Sequence, residues 1–437
     1  MYVKNRIDVI SLGCSKNLVD SEKLLKILKS KGYDTFHDDP SPKGEYVVVN
    51  TCGFIGDAKE ESINLILSLA QFKRKKKIGN IVVMGCLSQR YRDVLPNEIP
   101  EVDKWFGKFD WKSFAESLPK INDFHDLIPK EWERDLTTPS YSAYVKISEG
   151  CNRFCSFCAI PLITGRHRSR PIEEILEETE SLVKKGVKEF NIIAQDLSSY
   201  GTDLYGKPEL ARLIDEMSDI EGVKWIRLHY AYPADFPMDL LEVMANKKNV
   251  CKYLDIALQH ISDPVLRNMR RKIDKKGTLE LLSEIRKKVP GIKIRTTLMT
   301  GFPGEGDKEF EELLEFVKTQ KFERLGAFAY CEEEDTFSAK NLTDDIPESV
   351  KKERLDKIMA LQEEISLEHN QSLIGQQLEV LIDRIENGQA IGRTMYDSPE
   401  VDNEVIIKES GDLKPGDFVD VKITGAWPFE LEGVVKF

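Results

Sequence analysis

Short β-branched runs alternate with amphipathic helical stretches along most of the chain, and the period changes only near its end. Ile7–Leu12 precedes a helical pattern over Leu18–Leu28, Tyr46–Asn50 (YVVVN) precedes Asp57–Phe72, and Ile81–Met84 precedes Leu87–Leu95. Strand–helix repeats of this kind predict a parallel sheet covered by helices, here an N-terminal α/β domain over residues 1–120. A polar, Pro-containing stretch over 121–140 reads as a linker. From 141 the rhythm recurs, with candidate strands Ala143–Ser148, Glu189–Ala194, Trp225–Tyr230, Tyr253–Leu258, Lys293–Met299 and Arg324–Tyr330. Six β/α units predict an incomplete TIM-like barrel whose chemistry sits at the C-terminal strand ends. Helical patterns such as Ile172–Lys185 and Lys308–Thr319 lie between the strands, and a Lys-, Glu- and Leu-rich helix trails the barrel to residue 370. Residues 371–437 alternate in period two between Gly and Pro turns (Leu378–Ile382, Glu404–Ile407, Phe418–Ile423). That is the pattern of a small antiparallel β-barrel.

Composition adjusts this picture little. At 437 residues the chain exceeds one hydrophobic core. With 41% apolar and 32% charged residues it falls outside the disordered and disulfide-stapled classes. No apolar run approaches the ~20 residues of a membrane span. The opening Met1–Arg6 leads into a strand pattern without a secretory signal, so a cytoplasmic protein is expected. The net charge of −12 argues against a general nucleic-acid coater and suits a basic partner.

The eight cysteines carry the chemistry, because in a reducing compartment spaced thiols are read as metal or catalytic groups before disulfides. Cys151-Asn-Arg-Phe-Cys155-Ser-Phe-Cys158 is a CxxxCxxC directly after a strand. Three thiolates on one loop hold three irons of a 4Fe-4S cube and leave the fourth open. A structural zinc would need a fourth ligand at short spacing, and His167, nine residues on, is a poor match. A second group is dispersed: Cys14, Cys52 and Cys86 each follow a strand of the N-terminal domain. Parallel strands deliver all three to one sheet edge, where open α/β sheets bind ligands. The rival reading is three buried structural cysteines. Cys251 reads as packing and Cys331, ending the sixth barrel strand, as structural.

The CxxxCxxC spacing and Phe157 before its last cysteine resemble the radical S-adenosylmethionine superfamily. The resemblance implies S-adenosylmethionine chelated to the open iron and cleaved to a 5′-deoxyadenosyl radical. Cofactors supply such chemistry while the protein positions them. The whole order of parts, with a final barrel similar to a TRAM domain, resembles the methylthiotransferase family. One branch of that family modifies adenosine in tRNA, another an aspartate of the twelfth protein of the small ribosomal subunit. Ser11–Glu22 (SLGCSKNLVDSE), Asn50–Gly56 (NTCGFIG), Gly85–Arg90 (GCLSQR), Ile147–Arg153 (ISEGCNR) and Tyr253–His260 (YLDIALQH) resemble the ribosomal-protein branch. The tRNA branch typically carries an arginine after its second cysteine, where this chain has Gly53-Phe54-Ile55-Gly56.

The resemblance implies two 4Fe-4S clusters, on Cys14/Cys52/Cys86 and Cys151/Cys155/Cys158, with S-adenosylmethionine as methyl donor and radical source. It also implies a sulfur donor, an external electron donor, a basic ribosomal protein as substrate, no membrane, and RNA contact only through the ribosome. A non-catalytic iron–sulfur sensor is the reading from another class. Residues 371–437 contain 6 Lys and Arg against 13 Asp and Glu, a poor RNA face and a complement to a basic protein. Trp427 is either an anchor for that protein or a core residue. Phe157, Gln195, Asp196, Gly301 and Gly304 are candidate cofactor contacts, the last four at strand ends, Asp196 alternatively a helix cap and the glycines alternatively turn formers. Arg295 and Gln259 are expected to point toward the same end. Arg166–Arg170 is a candidate carboxylate site or a solvated loop, and Lys73–Lys77 a solvated face.

Overall fold

The computed structural model describes residues 1–121 and 129–435, so part of the expected linker, 122–128, lies outside the described residues. Two compact units interleave in sequence: 1–138, 144–152 and 158–168 form the first, and 139–143, 153–157 and 169–437 the second.

The first unit is built on five parallel strands, β1 (Val3–Ser11), β2 (Asp34–His37), β3 (Gly44–Thr51), β4 (Asn80–Gly85) and β5 (Lys104–Trp105), in the order β2-β1-β3-β4-β5. Helices α1 (Ser15–Ser30), α2 (Gly56–Arg74) and α3 (Cys86–Arg90) follow β1, β3 and β4. The unbroken apolar run of β3 is explained by helices on both faces. Val48 with Val82 and Met84 packs on Leu24 and Leu28 of α1, and Val47 and Val49 with Ile81 and Val83 pack on Ile66 and Leu69 of α2. Edge strands β2 and β5 escape the sequence pattern: β2 is half exposed and β5 has two residues.

Short strands β7 (Ser148–Glu149) and β8 (Arg168–Ser169) flank the cysteine loop. The six expected barrel strands are present as β6 (Ser142–Lys146), β9 (Glu189–Ile193), β10 (Trp225–Ala231), β11 (Val250–Gln259), β12 (Lys293–Thr300) and β13 (Arg324–Ala329). They form one sheet in the order β13-β12-β11-β10-β9-β6. The helix Glu348–Gln371 leads to a closed barrel of β14 (Gln377–Glu386), β15 (Gln389–Thr394), β16 (Glu404–Ile407), β17 (Phe418–Ala426) and β18 (Glu430–Val435). Its strands are not all antiparallel: β16 and β18 pair in parallel, which closes the cylinder. Val380, Ile382, Val405, Val421, Ile423 and Leu431 fill its core. Trp427 lies outside that core, 48% exposed, on a hairpin whose carbonyls are held by Ser366 and Asn370.

Within the second unit the small barrel packs on the starts of the central strands. The Trp225 ring meets Phe418 edge-on at 4.9 Å, the Tyr253 hydroxyl donates to Asp402 at 2.7 Å, and Lys188 Nζ donates to the Gly416 carbonyl at 2.7 Å. At the centre, buried Glu189 accepts two bonds from Arg393, both 2.9 Å, and one from Arg227 at 3.2 Å. Arg324 grips Asp397 at 2.9 and 2.6 Å. Cys251 is buried among Trp225, Tyr253 and Leu381, a packing residue as expected. Among the described residues, no helix is long and apolar enough to cross a membrane.

Candidate cofactor sites

Three strand ends build the first site. β1 gives out at Ser11, and Cys14 sits just before α1; Cys52 follows β3, and Cys86 opens α3 after β4. The turn at Gly13, with φ +87°, brings β1 against β3 so closely that an added Cβ would stand 2.9 Å from Cys52 Sγ. Asn17 ties these ends together. Its amide nitrogen donates to the carbonyls of Leu12 and Thr51, and its Oδ1 takes the Cys86 thiol at 3.6 Å.

The three thiols differ electrostatically. Burial raises Cys86 to about 12 against the pull of Lys108, with Cys14 and Cys52 adding to the rise. Burial also raises Cys52. Cys14 is exposed yet densely surrounded. That surrounding alone would raise its thiol, but Lys16, Lys108 and the Asn17 and Lys16 amides bring it below the ordinary value. In the metal-free chain Cys14 should therefore be the nucleophile. Iodoacetamide at about pH 8, below the ordinary thiol pKa of ~8.5, is expected to label Cys14 well ahead of Cys52 and Cys86. Peptide mass spectrometry reads the order, and equal labelling would contradict it.

The chemistry of the donor set suits a cluster. Two buried, neutral thiols become ligands only when a metal displaces their protons. Among the described residues no three Cys, His, Asp or Glu side chains are gathered to hold a single metal ion. A four-iron cube takes one thiolate at each of three corners, so its ligands stand wider apart than those around one ion.

The second cysteine group lies on the loop after β6. Cys151, Cys155 and Cys158 are half-buried. Ser156 anchors the loop: its amide donates to the Met269 carbonyl at 3.0 Å, its hydroxyl donates to the Asn268 carbonyl at 2.7 Å, and its carbonyl accepts from the Ser338 amide at 2.8 Å. Cys155 Sγ accepts from Arg271 Nη1 at 3.3 Å and has the Tyr232 hydroxyl at 4.0 Å. Two guanidiniums lie over the Tyr232 ring, Arg271 at 4.0 Å and Arg153 at 4.3 Å from its centroid, a cation–π arrangement. Arg153 in turn grips Asp196 at 2.7 Å and Asp235 at 2.8 Å.

These contacts sort the candidate residues. Asp196 accepts from the Ser198 amide and the Ser199 hydroxyl besides Arg153, so its carboxylate caps the turn at 197–199 and anchors the loop. Phe157 packs edge-on against Phe302, centroids 6.1 Å apart, in the barrel core. Gly301 and Gly304, φ +70° and +94°, make room for protein. Added Cβ atoms would stand 2.2 Å from Lys351 Cγ and 2.5 Å from Asn268 Nδ2. Gln195 follows β9 half-buried. Gln259 ends β11 with Oε1 buried and, among the described residues, without a hydrogen-bond partner. Arg295 departs from expectation: it sits near the start of β12, paired with Asp255 at 3.6 Å and Asp402 at 3.3 Å. Sequence reasoning missed Arg271 and Tyr232, since no spacing ties them to the cysteine loop.

Residues 145–317 match the model of the radical SAM superfamily, 6–107 that of an uncharacterized family designated UPF0004, and 374–435 that of the TRAM domain. With a three-cysteine loop after the first barrel strand, these parts define a radical S-adenosylmethionine enzyme, a class that works with an iron–sulfur cluster and S-adenosylmethionine. Similar curated proteins carry the name ribosomal protein uS12 methylthiotransferase RimO. That of Porphyromonas gingivalis is 59% identical over 430 residues, 98% of each chain. That of Bacteroides fragilis is 56% identical over 433 residues, 99% of each chain. The chain belongs to this RimO family. In fold it resembles the radical S-adenosylmethionine methyltransferase TsrM of Kitasatospora setae, with TM-score 0.54, 13% identity and coverage of 74% of this chain and 72% of that one. It also resembles the cobalamin-dependent enzyme OxsB, with TM-score 0.51, 12% identity and coverage of 82% and 56%.

Proposed function

We infer that this chain is a methylthiotransferase acting on ribosomal protein uS12, at the β-carbon of an aspartate, and that it works with two iron–sulfur clusters. The observation that carries the reading is the presence of two separate cysteine trios, each placed where a strand ends. When bound, S-adenosylmethionine on the open iron of the Cys151/Cys155/Cys158 cluster supplies the hydrogen-abstracting radical, and sulfur at the Cys14/Cys52/Cys86 cluster supplies the group to be methylated and transferred. The chain's own residues position these parts. Arg271 and Tyr232 fix Cys155, the Arg153–Asp196 pair and Ser156 hold its loop rigid, and Gln259 offers an unused acceptor at a strand's C-terminal end. A rigid cluster loop keeps the reacting geometry constant between turnovers. Sulfur and electrons come from outside donors.

The acidic small barrel needs a different account from the one its net charge suggested. Asp397 is bound to Arg324, Asp402 to Arg295 and Tyr253, and Glu379 accepts from the Trp225 indole at 3.2 Å. Part of the negative charge therefore answers the central domain's cations and is unavailable to a substrate. The deciding assay is incubation of reduced holoenzyme, S-adenosylmethionine and sulfide with uS12 or with tRNA. The expected result is a uS12 peptide heavier by one methylthio group in place of hydrogen, with unchanged tRNA nucleosides. Modified adenosine with untouched uS12 would overturn the substrate assignment.

A further inference from the structure

Beside the Cys14/Cys52/Cys86 trio lies a cation that no sequence motif marks. The Lys108 side chain is 2% exposed. Its Nζ donates to Asn17 Oδ1 at 3.3 Å and to Asp20 at 3.2 Å, while Glu149 stands at 3.8 Å, beyond hydrogen-bond reach. An ammonium has three N–H donors, so one of them lacks an acceptor among the described residues. Burying an ammonium is costly unless partners offset it, and a purely structural lysine would be expected to use all its donors. The Asn17 Oδ1 that accepts from Lys108 is the atom that takes the Cys86 thiol at 3.6 Å. One amide oxygen therefore joins the ammonium to a cluster ligand.

The wider charge balance points the same way. Asp20 and Glu149 are shared with Lys146, which bonds both carboxylates. Two lysines against two carboxylates leave no net charge, and Lys16 adds a cation near Cys14. Three thiolates and a bound sulfur anion would bring negative charge into this space. Burial would lower the Lys108 pKa, but the Glu149 and Asp20 carboxylates outweigh it, so the ammonium keeps its proton at neutral pH.

We propose that Lys108 is the counter-cation of the N-terminal sulfur site, its spare N–H holding the small sulfur anion, hydrosulfide or methanethiolate, that the cluster carries before transfer. This rests on the two-cluster reading above. Lys108 is a positioning residue, and its charge also sets the potential of the neighbouring cluster.

The test uses the full chain with Cys151, Cys155 and Cys158 replaced by alanine, so that only the N-terminal cluster loads. Sodium methanethiolate is titrated into it and followed by the cluster's EPR and Mössbauer signals, with the midpoint potential measured alongside. Lys108→Met is expected to retain about four irons, to bind methanethiolate at least tenfold more weakly, and to show a more negative potential. Lys108→Arg is expected to restore both. Where Lys108→Met alone loads no iron, the Lys108→Met/Asp20→Asn pair, which removes a carboxylate with the ammonium, carries the measurement. A loaded Lys108→Met cluster with unchanged affinity and potential overturns the proposal alone. So does failure of both variants to load iron when Lys108→Arg succeeds, for that makes Lys108 an assembly residue. An unsubstituted Lys108 parent that holds no cluster sinks the two-cluster reading and this proposal with it.

Discussion

Cys155→Ala is expected to abolish 5′-deoxyadenosine formation from S-adenosylmethionine under reduction, to below detection by chromatography, while Cys52→Ala leaves it measurable. Both variants should make no methylthiolated uS12. The asymmetry follows from the division of work proposed for the two trios. Cys155 lies on the loop whose cluster would bind the cofactor, fixed by Arg271 and Tyr232. Cys52 belongs to the strand-end trio assigned to sulfur. Neither substitution should unfold the chain. Alanine at 155 loses the two sulfur hydrogen bonds to Arg271 and Tyr232, a change on the order of 1–2 kcal/mol, small beside the complete loss of an iron ligand. Iron per chain should fall from about eight to about four in each case. Loss of 5′-deoxyadenosine in Cys52→Ala as severe as in Cys155→Ala would mean that the trios do not divide the work.

The largest stability effect is expected from Arg393→Ala. Glu189 and Arg393 are fully buried, and the guanidinium makes two 2.9 Å bonds to Glu189 and others to Asp383 at 2.7 and 3.0 Å. Removing it strands a carboxylate that only Arg227 and the Ser142 hydroxyl still meet. Breaking a buried pair in this way costs roughly 3–5 kcal/mol. Thermal unfolding of the metal-free chain should therefore begin several degrees lower, and a shift within error would contradict the account.

The pH dependence follows from the same pair. Burial alone would raise the Glu189 carboxyl, but Arg393 and Arg227 hold it far below the usual glutamate range. Its stabilisation is then complete above the unfolded value of about 4.3 and is lost as pH falls toward the folded value. Arg393→Ala should shrink this acid-side loss, so wild type and variant should differ less near pH 3 than at pH 7.

Much of the fold was legible because its signals are local. YVVVN gives a strand buried on both faces, and the central strands carry apolar stretches such as FNII, WIRL and YLDIAL that hydrophobic periodicity detects. The missed strands have local reasons too. β2 and β5 are short edges, and β15 (QAIGRT) and β18 (ELEGVV) are broken by glycine and charge. The Cys151–Cys158 loop could be singled out because its CxxxCxxC spacing is itself chemical information, and the dispersed trio because each of its members follows a strand. Arg271, Tyr232 and Lys108 carry no such signal: each reaches its sulfur only through tertiary folding. The same limit misled the charge count over 371–437, since composition does not say that Asp397 and Asp402 face Arg324 and Arg295.

That seam also constrains protein engineering. Grafting the terminal cylinder of another enzyme onto this host would take Arg393 from Glu189, Asp397 from Arg324 and Asp402 from Arg295 at once, unless the donor brings counterparts of those three. A chimera meant to redirect the enzyme to a new substrate must carry those matched side chains across the junction, or it will fail by misfolding before its specificity is ever asked.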